Sequence, residues 1–171
     1  MQTLTGVNSY TRGTTVNAGT LRIGNANALG GDTGFNGAVT VNGGVLDIFG
    51  TGSAAIGTLA GTGGVITDSG LQSGGSVLST FTAADSSFGG AINDGLFRGL
   101  SLYKDGSGVL TLTGTSNYSG VTNVYAGAIN LGSSAGLGSA AGETVVSAGA
   151  ALRVFGDITS CLLYTSPSPR D

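Results

Sequence analysis

Runs of three to five β-forming residues, each closed by glycine, recur along this chain. Thr14-Thr15-Val16-Asn17, then Ala18-Gly19, then Thr20-Leu21-Arg22-Ile23 is one example; Val39-Thr40-Val41-Asn42, then Gly43-Gly44, then Val45-Leu46-Asp47-Ile48-Phe49 is another. Alternating apolar residues mark these runs as strands. Such short strands cannot bury a face alone, so the chain must stack many of them. Glycine is 34 of 171 residues, against a usual share of ~7%. Glycine costs ~1 kcal/mol relative to alanine inside a helix, so helices are disfavoured throughout.

The densest stretch is Leu102–Leu131, which holds three short β signals between glycine turns. It has a partial copy upstream. Leu4-Thr5-Gly6, Tyr10, Thr14, Val16 and Ala18-Gly19 match Leu112-Thr113-Gly114, Tyr118, Thr122, Val124 and Ala126-Gly127 at a constant offset of 108. Further on, Gly43, Leu46, Ile48, Phe49 and Gly50 match Gly149, Leu152, Val154, Phe155 and Gly156 at an offset of 106. The chain therefore holds about one and a half copies of a unit of about 107 residues. Gly24 to Gly37 reads as a loop-like insert between strand pairs.

This pattern predicts an all-β solenoid. In a solenoid each rung pairs its backbone with the rungs above and below, and equivalent side chains form inward ladders. The inward candidates are Val16, Leu21, Ile23, Val39, Val41, Leu46, Ile48, Leu110, Leu112, Val124, Ile129, Leu131, Val145, Leu152 and Val154. A hairpin sheet would need two-residue Asn-Gly or Asp-Gly loops. Only Asn36-Gly37, Asn42-Gly43, Asp94-Gly95 and Asp105-Gly106 offer them, which leaves hairpins as the minor alternative. Solenoid ends need caps. None is evident here, so the isolated segment is expected to aggregate or fray.

Charged residues are 9% and the net charge is −3. The six basic residues are scattered, so nucleic acid is not an expected partner. No apolar run approaches the ~20 residues needed to span a bilayer. The N-terminus lacks the basic, apolar and small regions of an export signal; if the protein is exported, its signal is expected upstream.

The tail, Cys161-Leu-Leu-Tyr-Thr-Ser-Pro-Ser-Pro-Arg-Asp171, holds the only cysteine and both prolines, and no glycine. Codons exist for all eleven residues whose string resembles a transposon-end adapter used in sequencing-library preparation. The expectation is that 161–171 is adapter read-through, that 1–160 is the native segment, and that the reading frame continues at both ends.

The pattern Leu102-x-Lys104-x-Gly106-x-Gly108-x-Leu110-x-Leu112-x-Gly114-x-x-x-Tyr118-x-Gly120-x-Thr122-x-Val124-x-Ala126-Gly127-x-Ile129 resembles the passenger-associated transport repeat, the autotransporter-associated β-strand repeat of type V secreted proteins. The copy at Leu4–Ile23 resembles it too, with Arg12 beside Gly13 where the family usually has two glycines. Ile56-Gly-Thr-Leu-Ala-Gly-Thr-Gly-Gly-Val65 is similar to the text between such repeats. The resemblance implies a right-handed parallel β-helix in the passenger of an autotransporter. It implies a partner in a C-terminal translocator β-barrel of the same parent chain, export across the outer membrane of a Gram-negative bacterium, and a place at the cell surface or outside the cell. The implied role is a non-catalytic stalk supporting export and display. An adhesin surface for glycan or host protein is the alternative, and a polysaccharide-degrading β-helix the third.

No residue is singled out as catalytic, cofactor-binding or metal-binding. Lys104 with Gly106-x-Gly108 lacks the Gly-Lys-Ser/Thr ending of a phosphate loop. Gly30-Gly31-Asp32 lacks the tandem register of a calcium β-roll. The carboxylates Asp32, Asp47, Asp68, Asp85, Asp94, Asp105, Glu143 and Asp157 lie far apart in sequence, though a β-helix could bring two together, and a glycosidase needs two. No histidine is present to serve as the base of a serine protease. Asn17, Asn42, Asn117, Asn123 and Asn130 read as turn or ladder groups. Tyr10, Phe35, Tyr103, Tyr118 and Tyr125 form no clear aromatic row.

Overall fold

The computed structural model describes residues 1–30 and 37–155, and the backbone of 162–165. Gly31, Asp32, Phe35, Asn36, Gly156, Asp157 and Cys161, and with them the calcium candidate, lie outside the described residues. No described residue is helical. The chain is a β-solenoid of about six turns, and every strand pairing in it is parallel. The hairpin alternative is thereby excluded. Asp105-Gly106, one of its candidate loops, is instead a corner between successive faces.

Three faces wind about the axis. The first carries β2 (Thr14–Val16), β4 (Val39–Val41) and β7 (Leu59–Ala60), then continues through β10 (Ser86–Phe88), β13 (Val109–Leu112), β15 (Ala128–Leu131) and β17 (Ala151–Val154). A bridge between Gly61 and Phe88 joins its two parts. The second carries β1 (Gln2–Leu4), β3 (Thr20–Ile23), β5 (Val45–Asp47), β8 (Val65–Thr67) and β11 (Ala91–Ile92). The third carries β6 (Ser53–Ile56), β9 (Gly74–Phe81), β12 (Arg98–Asp105), β14 (Thr122–Val124), β16 (Glu143–Val146) and β18 (Leu162–Thr165). Register partners are 19 residues apart at Leu112↔Leu131 and 27 apart at Gly61↔Phe88, so turns vary in length while the ladder stays continuous.

The core is a narrow column of aliphatic side chains. Eleven of the inward candidates, Val16, Ile23, Val39, Val41, Leu46, Ile48, Leu110, Leu112, Val124, Ile129 and Leu131, are buried, and Leu21 and Leu152 are partly buried against them. Val145 is a correction. Val146 pairs with Val124 and Val145 with Asn123, so Val146 and the buried Thr144 face inward. Two adjacent valines hide the period, and a one-residue slip swaps the faces of a strand. Val154 is 41% exposed although it lies in register with Leu131, because no described rung covers it.

The loop-like insert after Gly24 is also corrected in part. Ala28 and Leu29 are fully buried, and Leu137 fills the corresponding place in the second copy. The echo extends to side-chain bonds. Tyr10 Oη bonds Thr14 Oγ1 at 2.6 Å, and Tyr118 Oη bonds Thr122 Oγ1 at 2.6 Å. Gly30 lies against the Tyr10 ring and Gly138 against the Tyr118 ring, both at positive φ.

The two copies do not occupy the same faces. β2 and β3 lie on the first and second faces, whereas their counterparts β14 and β15 lie on the third and first. The motif is thus rotated by a third of a turn between copies. Its requirement is a strand, a glycine corner and a strand, which any corner of the solenoid can supply.

One corner shows why glycine is needed. Gly127 has φ +66, and a Cβ there would collide with the carbonyl oxygens of Gly106 and Gly108. A side chain in this left-handed region costs ~1–3 kcal/mol. Gly127→Ala is therefore expected to lower stability by about 2 kcal/mol, read as an earlier urea midpoint, while Gly6→Ala, with nothing within 4 Å of the new Cβ, leaves it nearly unchanged.

Candidate functional site

Stacking brings chemistry-bearing side chains together at two corners and on one outward surface. At the corner after the second face, successive rungs present Asp47, Asp68 and Asp94. Asp68 and Asp94 each lie two residues beyond a register pair, Ile66↔Ile92. The carboxylates that seemed dispersed in sequence are thus neighbours along the axis, as the β-helix alternative requires.

Their lone pairs are already committed. Asp47 Oδ1 accepts the amides of Phe49 at 3.1 Å and Ser69 at 2.9 Å, and its Oδ2 accepts Arg22 Nε at 2.8 Å and Ser69 Oγ at 2.7 Å. Asp68 Oδ1 accepts the amides of Gly50 at 2.6 Å and Gly70 at 2.8 Å. Its Oδ2 accepts Ser76 Oγ and lies 3.2 Å from Arg98 Nε. Asp94 Oδ1 accepts the amides of Leu100 at 2.7 Å and Ser119 at 3.0 Å. Arg22 also covers the Phe49 ring at 3.9 Å, a cation–π contact. Each carboxylate ties one turn to the next.

Burial pushes the Asp47 carboxyl up, but the Ser69 amide and hydroxyl, the Phe49 amide and Arg22 outweigh it and hold the group below its usual 3.8. An acid held ionised has no proton to donate, so Asp47 does not suit the general-acid role of a glycosidase. A carboxyl with a depressed folded pKa adds stability above the unfolded value, lost as pH falls through the folded one. Asp47→Asn is accordingly expected to cost about 2 kcal/mol at pH 7. In urea melts the gap from the parent should close as pH drops below 3.8.

The second corner holds Lys104, fully buried in the inward column Ile56–Thr80–Lys104–Val124–Val146. Its Nζ donates to the carbonyls of Asp105 at 2.9 Å, Gly106 at 2.8 Å and Ala126 at 3.2 Å, which uses all three ammonium donors. Burial lowers its pKa from 10.5, opposed by the charges of Asp105 and Asp85. The lysine beside Gly106-x-Gly108 is thus a plug for corner carbonyls. Its signal was the alternation Leu102-x-Lys104, which puts both side chains on one side of the strand. Lys104→Met keeps the shape and strands the Gly106 and Ala126 carbonyls, while the Asp105 carbonyl keeps the Thr82 amide at 3.0 Å, so we expect a loss of about 2 kcal/mol in thermal or urea unfolding.

The asparagines Asn17 and Asn42 form a ladder, with Asn42 Nδ2 donating to Asn17 Oδ1 at 3.0 Å. Tyr118 is buried, so it leaves the set of candidate surface aromatics. Tyr103 and Tyr125, on adjacent rungs of the third face, meet edge to face with ring centroids 5.6 Å apart. Among the described residues no group of three or more Asp, Glu or Cys is placed to hold a metal, and no helix is long and apolar enough to cross a membrane.

A stapled, parallel β-solenoid with a recurring Tyr–Thr and glycine-corner unit is the class of protein these features define. The family model described as passenger-associated-transport-repeat matches residues 1–23, 28–48 and 102–131, and the chain carries these repeats. The match at 28–48 covers a segment read from sequence as insert plus strand pair. Over 162 residues the chain is 33% identical to the Adhesin BmaC autotransporter of Brucella suis biovar 1 (strain 1330), covering 87% of this chain. It spans only 4% of that protein's length. No solved structure matches significantly. The repeats and this similarity support a passenger-domain role, with export across a Gram-negative outer membrane to the cell surface or beyond.

Proposed function

We propose that residues 1–160 are a non-catalytic stalk segment that supports export and holds the parent passenger away from the cell. The observation that carries this reading is the corner chemistry: Asp47, Asp68, Asp94 and Lys104 all spend their polar atoms joining one rung to the next. Rungs tied in this way form in sequence, each templating the next, and rungs formed outside oppose backsliding. The partner of this segment is a C-terminal translocator β-barrel of the same parent chain.

Residues 161–171 are adapter read-through in this proposal, and resequencing the locus past codon 160 checks it. Leu162–Thr165 pair with Glu143–Val146, which an open sheet edge accepts from a short β-forming stretch.

A second reading, an adhesive surface, is favoured by the outward Tyr103–Tyr125 pair and by the adhesin relative.

The register supplies a clean test of the stalk role. Leu110 pairs with Ile129, so deleting 110–128 from the full-length parent removes one complete turn and rejoins the ladder in frame. Surface display, measured by antibody labelling of intact cells, is expected to fall when this repeat turn is lost. Display equal to the parent's would rule out an export role for this copy.

A further inference from the structure

We propose that the Tyr103–Tyr125 pair on the third face is a stacking site for a neutral saccharide laid along the solenoid axis. This rests on the displayed-passenger reading, and it specifies the ligand class of the adhesive surface.

Strand alternation turns Tyr103 outward between the buried Leu102 and Lys104. Tyr125 extends the parallel ladder, its amide donating to the Lys104 carbonyl at 2.8 Å. The rings stand at 81° to each other, so the pair presents two differently oriented aromatic surfaces at one place on the face. Tyr125 is 48% exposed. Among the described residues neither phenol hydroxyl has a hydrogen-bond partner, and the Asn123 side chain, in register with Tyr103, has none either. Asp105, two residues beyond Tyr103 on β12, has its Oδ1 accepting the Gly106 amide at 2.7 Å, and among the described residues no hydrogen bond reaches its other oxygen. A rim of unused hydroxyl, amide and carboxylate groups around aromatic faces suits a ligand with apolar C–H faces and many hydroxyls.

Charge and geometry narrow the choice. Lys104 is sealed inside, and Arg98, the other basic residue of β12, is held by Asp68. The site therefore offers a carboxylate and no free cation, which disfavours acidic glycans. Strands in the interior of this face are paired on both sides, so a peptide finds no free edge on which to add a strand. Rungs repeat every ~4.8 Å, comparable to the length of one pyranose unit, so successive sugars of a linear chain can meet successive rungs.

The test uses the full chain and its own fluorescence, which comes from five tyrosines and no tryptophan. The probes are cellohexaose, maltohexaose and N-acetylchitohexaose, with heparin as the anionic comparison. A saturable fluorescence change with a neutral probe is expected. Tyr103→Ala and Tyr125→Ala should each weaken it about tenfold or more, Tyr125→Phe should keep most of it, and Phe97→Ala, an exposed aromatic at another corner, should leave it unchanged. Far-UV circular dichroism confirms that each variant folds. No saturable change with any of the three neutral probes would overturn the proposal, as would binding indifferent to both alanine variants or a preference for heparin. Those outcomes leave the display assay of the one-turn deletion untouched, so failure of the saccharide site and failure of the stalk reading are told apart.

Discussion

The parallel hydrogen-bond ladder between turns is what the rest of this structure depends on. A three-residue strand makes no backbone bonds within its own turn, and an unpaired buried amide or carbonyl is costly. Each turn is satisfied only by its neighbours, as at Leu110↔Ile129 and Leu102↔Thr122. The same dependence places the side chains. Once the ladder is in register, equivalent residues stack, and a narrow interior is filled mostly by valine, leucine, isoleucine and alanine, with Phe88, Tyr118 and a few polar groups among them.

Corners are where the ladder alone is insufficient. There the backbone turns and its polar groups lose their strand partners. The chain supplies Lys104 at one corner and three aspartates at another. Buried charge is expensive unless saturated, and here every such group is saturated or nearly so. These residues look like chemistry in the sequence and act as masonry in the fold. The carboxylate ladder could have been mistaken for a glycosidase groove on proximity alone; the count of acceptors already filled separates the two.

Much of the fold could be read in advance. Glycine spacing and β-alternation implied stacked strands, and the echo at offset 108 implied a repeat. Most of what sequence reasoning missed shares one cause, the assumption that polar means outward and loop means exposed. Lys104 sits inside because carbonyls wait for it there. Leu29 and Leu137 are buried in segments with no strand periodicity, because a tyrosine–glycine contact folds each loop over the core. Val145 reads as inward from the Val-Val pair alone, whereas the buried Thr144 sets the true phase of the strand. The Tyr103–Tyr125 pair was invisible for a different reason: their adjacency exists only after a full turn of 20 residues between partners Tyr103↔Asn123 brings the rungs together.

The rotation of the repeat by a third of a turn has a consequence for any longer array of such units. Equivalent loops in successive copies would point in three directions, like steps of a spiral stair, and only every third copy would face the same way. A flat host surface approached from one side would therefore meet one copy in three. A flexible polymer that wraps the shaft could engage them all, so the winding of the motif itself selects for partners able to follow it.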